Sequence, residues 1–129
     1  MKALVIGAGI GGMSAAAALK QQGIECDIFE AVKEIKPVGA ALSIWSNGVK
    51  CMNHLGMGSI MDELGGPMHN MAYHDGLTGT VMTQFSLSPL VDAVGERPCP
   101  VSRADLQSQM IDWWGRDQIQ FNKRIEKVE

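Results

Sequence analysis

Hydrophobic residues near the start of the chain follow two rhythms. Ala3, Leu4, Val5 and Ile6 form an unbroken apolar run, which is how a strand buried on both faces of a parallel sheet reads. The run ends at Gly7. Positions 13–22 are almost all good helix formers, and Gly23 stands where a left-handed residue would stop the helix. Ile24, Cys26 and Ile28 then alternate with Glu25, Asp27 and Phe29, predicting a second strand that closes on Glu30. The first thirty residues therefore predict strand, glycine turn, helix and strand, a βαβ unit.

The same reading continues along the chain. Residues 30–39 form a loop, with Lys33, Glu34 and Lys36 as solvated charges and Pro37 blocking a helix. Residues 40–45 are extended. Ser46 and Asn47 offer an N-cap for a short helix over 48–55, with Val49, Met52 and Leu55 at helical spacing and Gly56 as its stop. A second short helix over 57–64 precedes the break at Gly65, Gly66 and Pro67. Residues 68–75 and 80–87 flank Gly76, Leu77, Thr78 and Gly79, which predicts a β-hairpin. Residues 89–100 read as a polar, proline-bearing connection without a period. Ser102 and Asp105 make a capping-box-like start. Leu106, Met110, Trp113 and Trp114 follow as one apolar stripe, and Gly115 ends that helix. With no basic residue placed beside them, the two tryptophans read as core rather than as a stacking platform. Residues 118–128 predict a last strand with Ile119, Phe121, Lys123, Ile125 and Lys127 on one face.

The glycines add chemistry to the βαβ unit. Gly7 permits the tight turn out of the strand. Gly9 removes a side chain where backbone must approach a pyrophosphate at a helix start, and Gly12 lets the helix lie close on the strand. Ala16, Leu19 and Gly23 continue the sheet-facing side of the helix. Glu30 falls eighteen residues after Gly12, near the position from which a carboxylate hydrogen-bonds ribose hydroxyls. It would repel a 2′-phosphate, which disfavours NADP. A secretory signal peptide is the competing reading of the apolar start. Gly7, Gly9, Gly11 and Gly12 would break the helix of such a peptide, and Glu30 has no place in it. A glycine turn without a ligand is the other alternative. On motif chemistry alone, NAD and FAD both remain open.

Composition changes this picture little. The chain is 46% hydrophobic and 19% charged with a net charge of −3, a globular balance favouring neither nucleic acid nor a membrane surface. After residue 19 no apolar stretch reaches the roughly eighteen residues of a membrane span. Cys26, Cys51 and Cys99 are scattered and odd in number, forming neither a disulfide framework nor a metal site, so a reducing cytoplasm is the simplest location. His54, His69 and His74 do not share a strand face, since face neighbours differ by an even number of residues. No metal is expected. Nothing in the sequence speaks to oligomeric state.

Longer stretches carry a resemblance. The spacing Gly7, Gly9, Gly12, Ala16, Leu19, Gly23 and Glu30 at the start of a chain is similar to the FAD fingerprint of the flavin-dependent aromatic hydroxylases, the class A flavoprotein monooxygenases. Residues 30–41, 47–52 and 97–106 resemble the urate-hydroxylating branch of that family, which serves bacterial purine breakdown, and the similarity runs over essentially all 129 residues.

The resemblance implies an α/β fold: a Rossmann-like FAD-binding βαβ with a parallel sheet, plus the first strands of a substrate-domain β-sheet. Residues 1–66 would form the FAD-binding βαβ and flavin-side loop, 67–100 the start of the substrate-domain sheet, and 101–129 a return to the FAD-binding domain. Cofactor-binding residues implied are Gly9, Gly11, Gly12, Glu30, Ala31, Ser43, Arg103 and Ile125. Among these, Ser43 is a donor to FAD, Arg103 faces the ribose–pyrophosphate part and Ile125 makes a backbone contact near the adenine. The reaction implied is hydroxylation of urate to 5-hydroxyisourate, with NADH reducing bound FAD and O₂ supplying the oxygen atom; the flavin does the chemistry while protein binds and orients. Substrate-activating residues and a second FAD motif lie in segments beyond residue 129 in the family, so no catalytic residue is assigned here. The fold reads as incomplete, and the 129 residues alone are expected to bind FAD weakly or not at all. A salicylate-type hydroxylase and a non-catalytic nucleotide-binding module are the alternatives.

Overall fold

The computed structural model describes residues 1–36, 39 and 41–127. The expected roles of Pro37 and Ala40, and the far end of the last predicted strand at Val128, fall outside the described residues. The described residues form a mixed α/β structure with one parallel sheet and two antiparallel strand pairs.

Strand β1 (Lys2–Ile6), helix α1 (Ile10–Gln21) and strand β2 (Glu25–Phe29) form the predicted βαβ unit. β1 and β2 pair in parallel from Lys2 opposite Glu25 to Ile6 opposite Phe29, with Lys2 Nζ 2.9 Å from Asp27 Oδ2 at the outer end. Gly23, at φ 71°, turns the helix back toward β2 as its sequence position predicted. Burial of β1 is one-sided: Val5 is covered, whereas Leu4 and Ile6 are 64% and 60% exposed, because no described element lies over that face. The expectation of a strand buried on both faces is corrected accordingly.

β3 (Ala41–Ile44) leads into α2 (Ser46–His54) and α3 (Gly58–Leu64). Ser46 does not cap α2. The helix begins at Ser46 itself with Trp45 at the N-cap, and the Ser46 hydroxyl is buried without a hydrogen-bond partner. The hairpin is present as β4 (Asn70–His74) and β5 (Val81–Ser86), with Tyr73 and Phe85 stacked across it. His69 lies just outside β4, and His74 Nδ1 sits 3.1 Å from the Gly79 carbonyl oxygen. Among the described residues no three His, Cys, Asp or Glu side chains are grouped to hold a metal.

Residues 89–100 are more regular than their composition indicated. α4 (Ser88–Val94) starts with Pro89 in its first turn, and β6 (Cys99–Ser102) pairs antiparallel with β3, Ser43 opposite Pro100. α5 (Arg103–Trp114) follows, with Ser102 as its N-cap accepting from the Asp105 N–H. After a 3₁₀ turn over Arg116–Gln118, β7 (Ile119–Gln120) adds in parallel to β2, giving the order β1-β2-β7. The predicted strand over 118–128 is thus only two residues long. Asn122 takes a left-handed φ of 56°, which breaks the strand geometry, and the charged residues beyond it lie exposed. Two hydrogen bonds still tie this segment to the end of β2, from Asn122 N–H to the Val32 oxygen and from Lys123 N–H to the Glu30 oxygen.

One core joins these pieces. Met13, Ala16 and Ala17 of α1, Ile28 of β2, and Leu106, Met110, Ile111 and Trp114 of α5 are buried together with Met57 and Met61. Each large side chain there contributes about 1.5–3 kcal/mol relative to leaving it exposed. Trp113 departs from the predicted stripe: it is 37% exposed and its indole N–H donates to the Gly56 oxygen. A basic residue does accompany the tryptophans, contrary to expectation. Lys20 Nζ lies 4.8 Å from the Trp114 ring centre and 5.8 Å from that of Trp113. The lysine is on α1, so proximity in the sequence could not reveal it.

Candidate cofactor site

Three parts of the chain converge at the C-terminal end of β1 and β2. The glycine turn enters α1 with Gly9 as N-cap, and no side chain caps the first turn of that helix. Its leading amides are therefore donors for a bound anion. Gly12 serves packing, because a Cβ there would overlap the carbonyl oxygen of Gly7. Gly9 and Gly11 are different: a Cβ at either would meet no protein atom within 4 Å. Space is left beside the turn. Gly7 itself has φ 98° and donates its N–H to the Phe29 oxygen at 2.7 Å, locking the turn to β2.

Glu30, just past β2, engages backbone with both carboxylate oxygens. Oε2 accepts from the Ala8 N–H at 2.8 Å and Oε1 from the Val32 N–H at 3.0 Å. From the other side, the buried Gln107 of α5 donates its side-chain amide to the Ala8 carbonyl at 3.0 Å. Gly9, Glu30, Arg103 and Gln107 line one open cleft of ≈ 730 Å³ whose remaining wall is formed by residues 32 to 36. That volume lies within the roughly 300–1,000 Å³ usual for small-molecule sites. The predicted loop over 30–39 thus does border the candidate site. Gly39 has φ 137°, where a side chain is strained, and a Cβ there would come 3.2 Å from Cδ of Arg103, a tight contact.

Of the sequence-derived candidates, Gly9, Glu30 and Arg103 meet in this cleft; Gly12 does not line it and packs against Gly7 and Val5. Gly11 and Ala31 are exposed next to it in the chain but are not part of its lining. Ser43 is exposed on β3, and Ile125 is 38% exposed beyond Asn122; neither lines the cleft. Gln107 was missed. The signal available for it is its position four residues after Arg103, which places both on one face of α5.

The comparisons with known proteins bear on which ligand suits the cleft. A family model described as FAD binding domain matches residues 1–129. The chain belongs to the FAD-binding domain family. Over all 129 residues it is 67% identical to the FAD-dependent urate hydroxylase of Klebsiella pneumoniae subsp. pneumoniae, and 51% identical to the protein of that name from Mycolicibacterium vanbaalenii. It covers 34% and 33% of those proteins, so it spans about a third of the length of the curated relatives it matches. Among solved structures, Klebsiella pneumoniae HpxO complexed with FAD and uric acid is similar with a TM-score of 0.89 at 65% identity, over 96% of this chain and 31% of that one. A p-nitrophenol 4-monooxygenase of Pseudomonas putida shares the fold, with a TM-score of 0.87 at 15% identity, over 98% of this chain and 33% of that one.

The residues present suit FAD on the structure's own terms. An uncapped helix start with unfilled space beside Gly9 suits a pyrophosphate. The Glu30 carboxylate lies in the same cleft, able to accept from ribose hydroxyls, and Arg103 brings a guanidinium fork to match phosphate oxygens.

Proposed function

We propose that this chain is the cofactor-binding part of an FAD-dependent monooxygenase that converts urate to 5-hydroxyisourate with NADH and O₂. The observation that carries this reading is the 67% identity along the entire chain to a protein named for urate hydroxylation. In this reading the amides around Gly9, Gly11 and Gly12 receive the pyrophosphate, Glu30 and the adjoining Ala31 the adenosine ribose, and Arg103 the ribose–pyrophosphate region. Ser43 donates toward the flavin, and Ile125 meets the adenine side through its backbone. Residues 1–66 and 101–129 serve the FAD-binding domain, and the hairpin within 67–100 begins the substrate-domain sheet. Bound FAD supplies the redox chemistry and oxygen activation. What these residues supply is grip, orientation and partial exclusion of water. A cytoplasmic location accords with the free Cys26, Cys51 and Cys99, and no described helix is long and apolar enough to cross a membrane.

The test is substrate-stimulated NADH oxidation by a protein that carries this chain within the full length of its curated relatives, supplied with FAD. Urate should accelerate NADH and O₂ consumption together and lose its own absorbance as it does so. Stimulation by salicylate instead of urate would reassign the substrate. Absence of any FAD binding would leave a non-catalytic module.

A further inference from the structure

Ala8 is fully buried and is held at both of its polar atoms by side chains distant in sequence. Its N–H donates to Glu30 and its carbonyl accepts from Gln107, 99 residues further along. The second contact has an unambiguous sense. A carbonyl oxygen only accepts, so the amide nitrogen of Gln107 must face it. Gln107 is 7% exposed, and its small remaining surface belongs to the cleft. A buried glutamine that serves packing alone would be replaceable by an apolar residue. This one fixes a particular peptide plane.

That plane matters because a trans peptide is rigid, with its carbonyl and the next N–H directed to opposite sides. Fixing the Ala8 carbonyl toward α5 therefore fixes the direction of the Gly9 N–H. Gly9 cannot hold the plane by itself, having no side chain and nothing within 4 Å of its missing Cβ. We propose that Gln107 is a positioning residue that presets the Ala8–Gly9 peptide, and with it the amides that receive the pyrophosphate. The inference rests on the FAD reading above and adds to it a link between the helix carrying Arg103 and the glycine turn.

The experiment compares wild type with Gln107→Met and Gln107→Leu in the same full-length protein. Met keeps the length and loses the donor. Leu also loses the donor, and neither brings a charge that would act on phosphate directly. Binding of FAD, ADP and adenosine is measured by titration, alongside the melting temperature of the ligand-free protein. Both variants should bind FAD and ADP about tenfold more weakly, the scale of one lost oriented hydrogen bond, while adenosine, lacking phosphate, binds as in wild type. Equal weakening for ADP and adenosine would show a merely structural role and overturn the inference, as would unchanged ADP binding by a folded variant. Should Gln107→Met fail to fold, Gln107→Leu decides by the same comparison. Wild-type protein that binds no FAD removes the functional reading and this inference together, whereas FAD binding that is indifferent to position 107 removes only the inference.

Discussion

The Glu30 carboxylate accepts a 2.8 Å hydrogen bond from the backbone N–H of Ala8, 22 residues earlier in the chain. Its other oxygen accepts from Val32, so the side chain ties the glycine turn to the loop beside the cleft before any ligand is present. Glu30→Gln keeps the shape but leaves only one oxygen to accept. One of the two N–H groups then loses its partner, which should cost about 1–3 kcal/mol in chemical denaturation. FAD affinity should fall as well. Unchanged stability would show that the carboxylate does not organise the turn.

Gly9 and Gly12 separate binding from packing. Gly12→Ala drives a methyl into the Gly7 carbonyl oxygen, and strain of that kind should destabilise by about 1–3 kcal/mol. Gly9→Ala places its methyl in open space, at an N-cap where glycine and alanine differ by only about 1 kcal/mol. Its melting temperature should stay close to wild type while FAD binding is lost. A titration in which Gly9→Ala binds FAD normally would move the pyrophosphate away from this turn.

What the sequence made legible follows from how local each signal is. The βαβ unit was readable because the apolar run at Ala3 to Ile6, the turn at Gly7 and the stop at Gly23 all act within a few residues of one another. α4 was not, since it is only seven residues long and its apolar positions Leu90, Val91 and Val94 are only partly covered, too short a pattern to read as a helix. β6 was hidden by Pro98 just before it and Pro100 within it, the latter tolerated because among the described residues β6 pairs with β3 alone. The alternation over Ile119 to Lys127 predicted a strand that a left-handed Asn122 interrupts. Gly9, Glu30 and Arg103 were named from pattern and resemblance and do share a cleft. Gln107 required the contact with Ala8 to be seen, because only folding brings residues so far apart together.

Lys20 and Trp114 offer a test of that kind of long-range contact. Lys20→Met removes the charge over the two indole rings while keeping an unbranched apolar side chain. The loss should be about 0.5–1 kcal/mol, as for an exposed cation–π contact. Trp114→Ala, by contrast, empties a core position that is 6% exposed and should cost about 3–5 kcal/mol. Denaturation curves followed by tryptophan fluorescence distinguish the two. A Lys20→Met loss as large as that of Trp114→Ala would contradict the ranking.

Asp75 organises the hairpin turn. Its Oδ1 accepts from the backbone N–H and hydroxyl of Thr78 and from the N–H of Leu77, at 2.7, 2.8 and 3.0 Å. These bonds, Thr78 first, hold its carboxyl below the usual value. A depressed folded-state value means that the contribution is present above the unfolded value near 3.9. It is lost as pH falls through the folded one. The Leu77 and Thr78 amide signals should therefore lose hydrogen-exchange protection in acid below about pH 4, and Asp75→Ala should abolish that pH dependence. Protection unaltered by acid would mean the turn is held by other contacts.

Cys99 should give the opposite pH response. Its thiol is 1% exposed, and burial, reinforced by the negative charges of Asp62 and Glu96 against an opposing Arg97, pushes its pKa up. The unfolded chain loses that proton near pH 8.5, while the folded chain retains it to higher pH. Stability from this group is thus complete below about pH 8.5 and declines as pH rises toward the folded value. Cys99→Ala removes the linkage, so above pH 8.5 its stability should fall less steeply than that of wild type, whatever its starting level. The thiol itself should resist alkylation in the native state while the exposed Cys51 reacts. Parallel stability curves for the two proteins, together with rapid native-state alkylation of Cys99, would show that the thiol is not sequestered in the core.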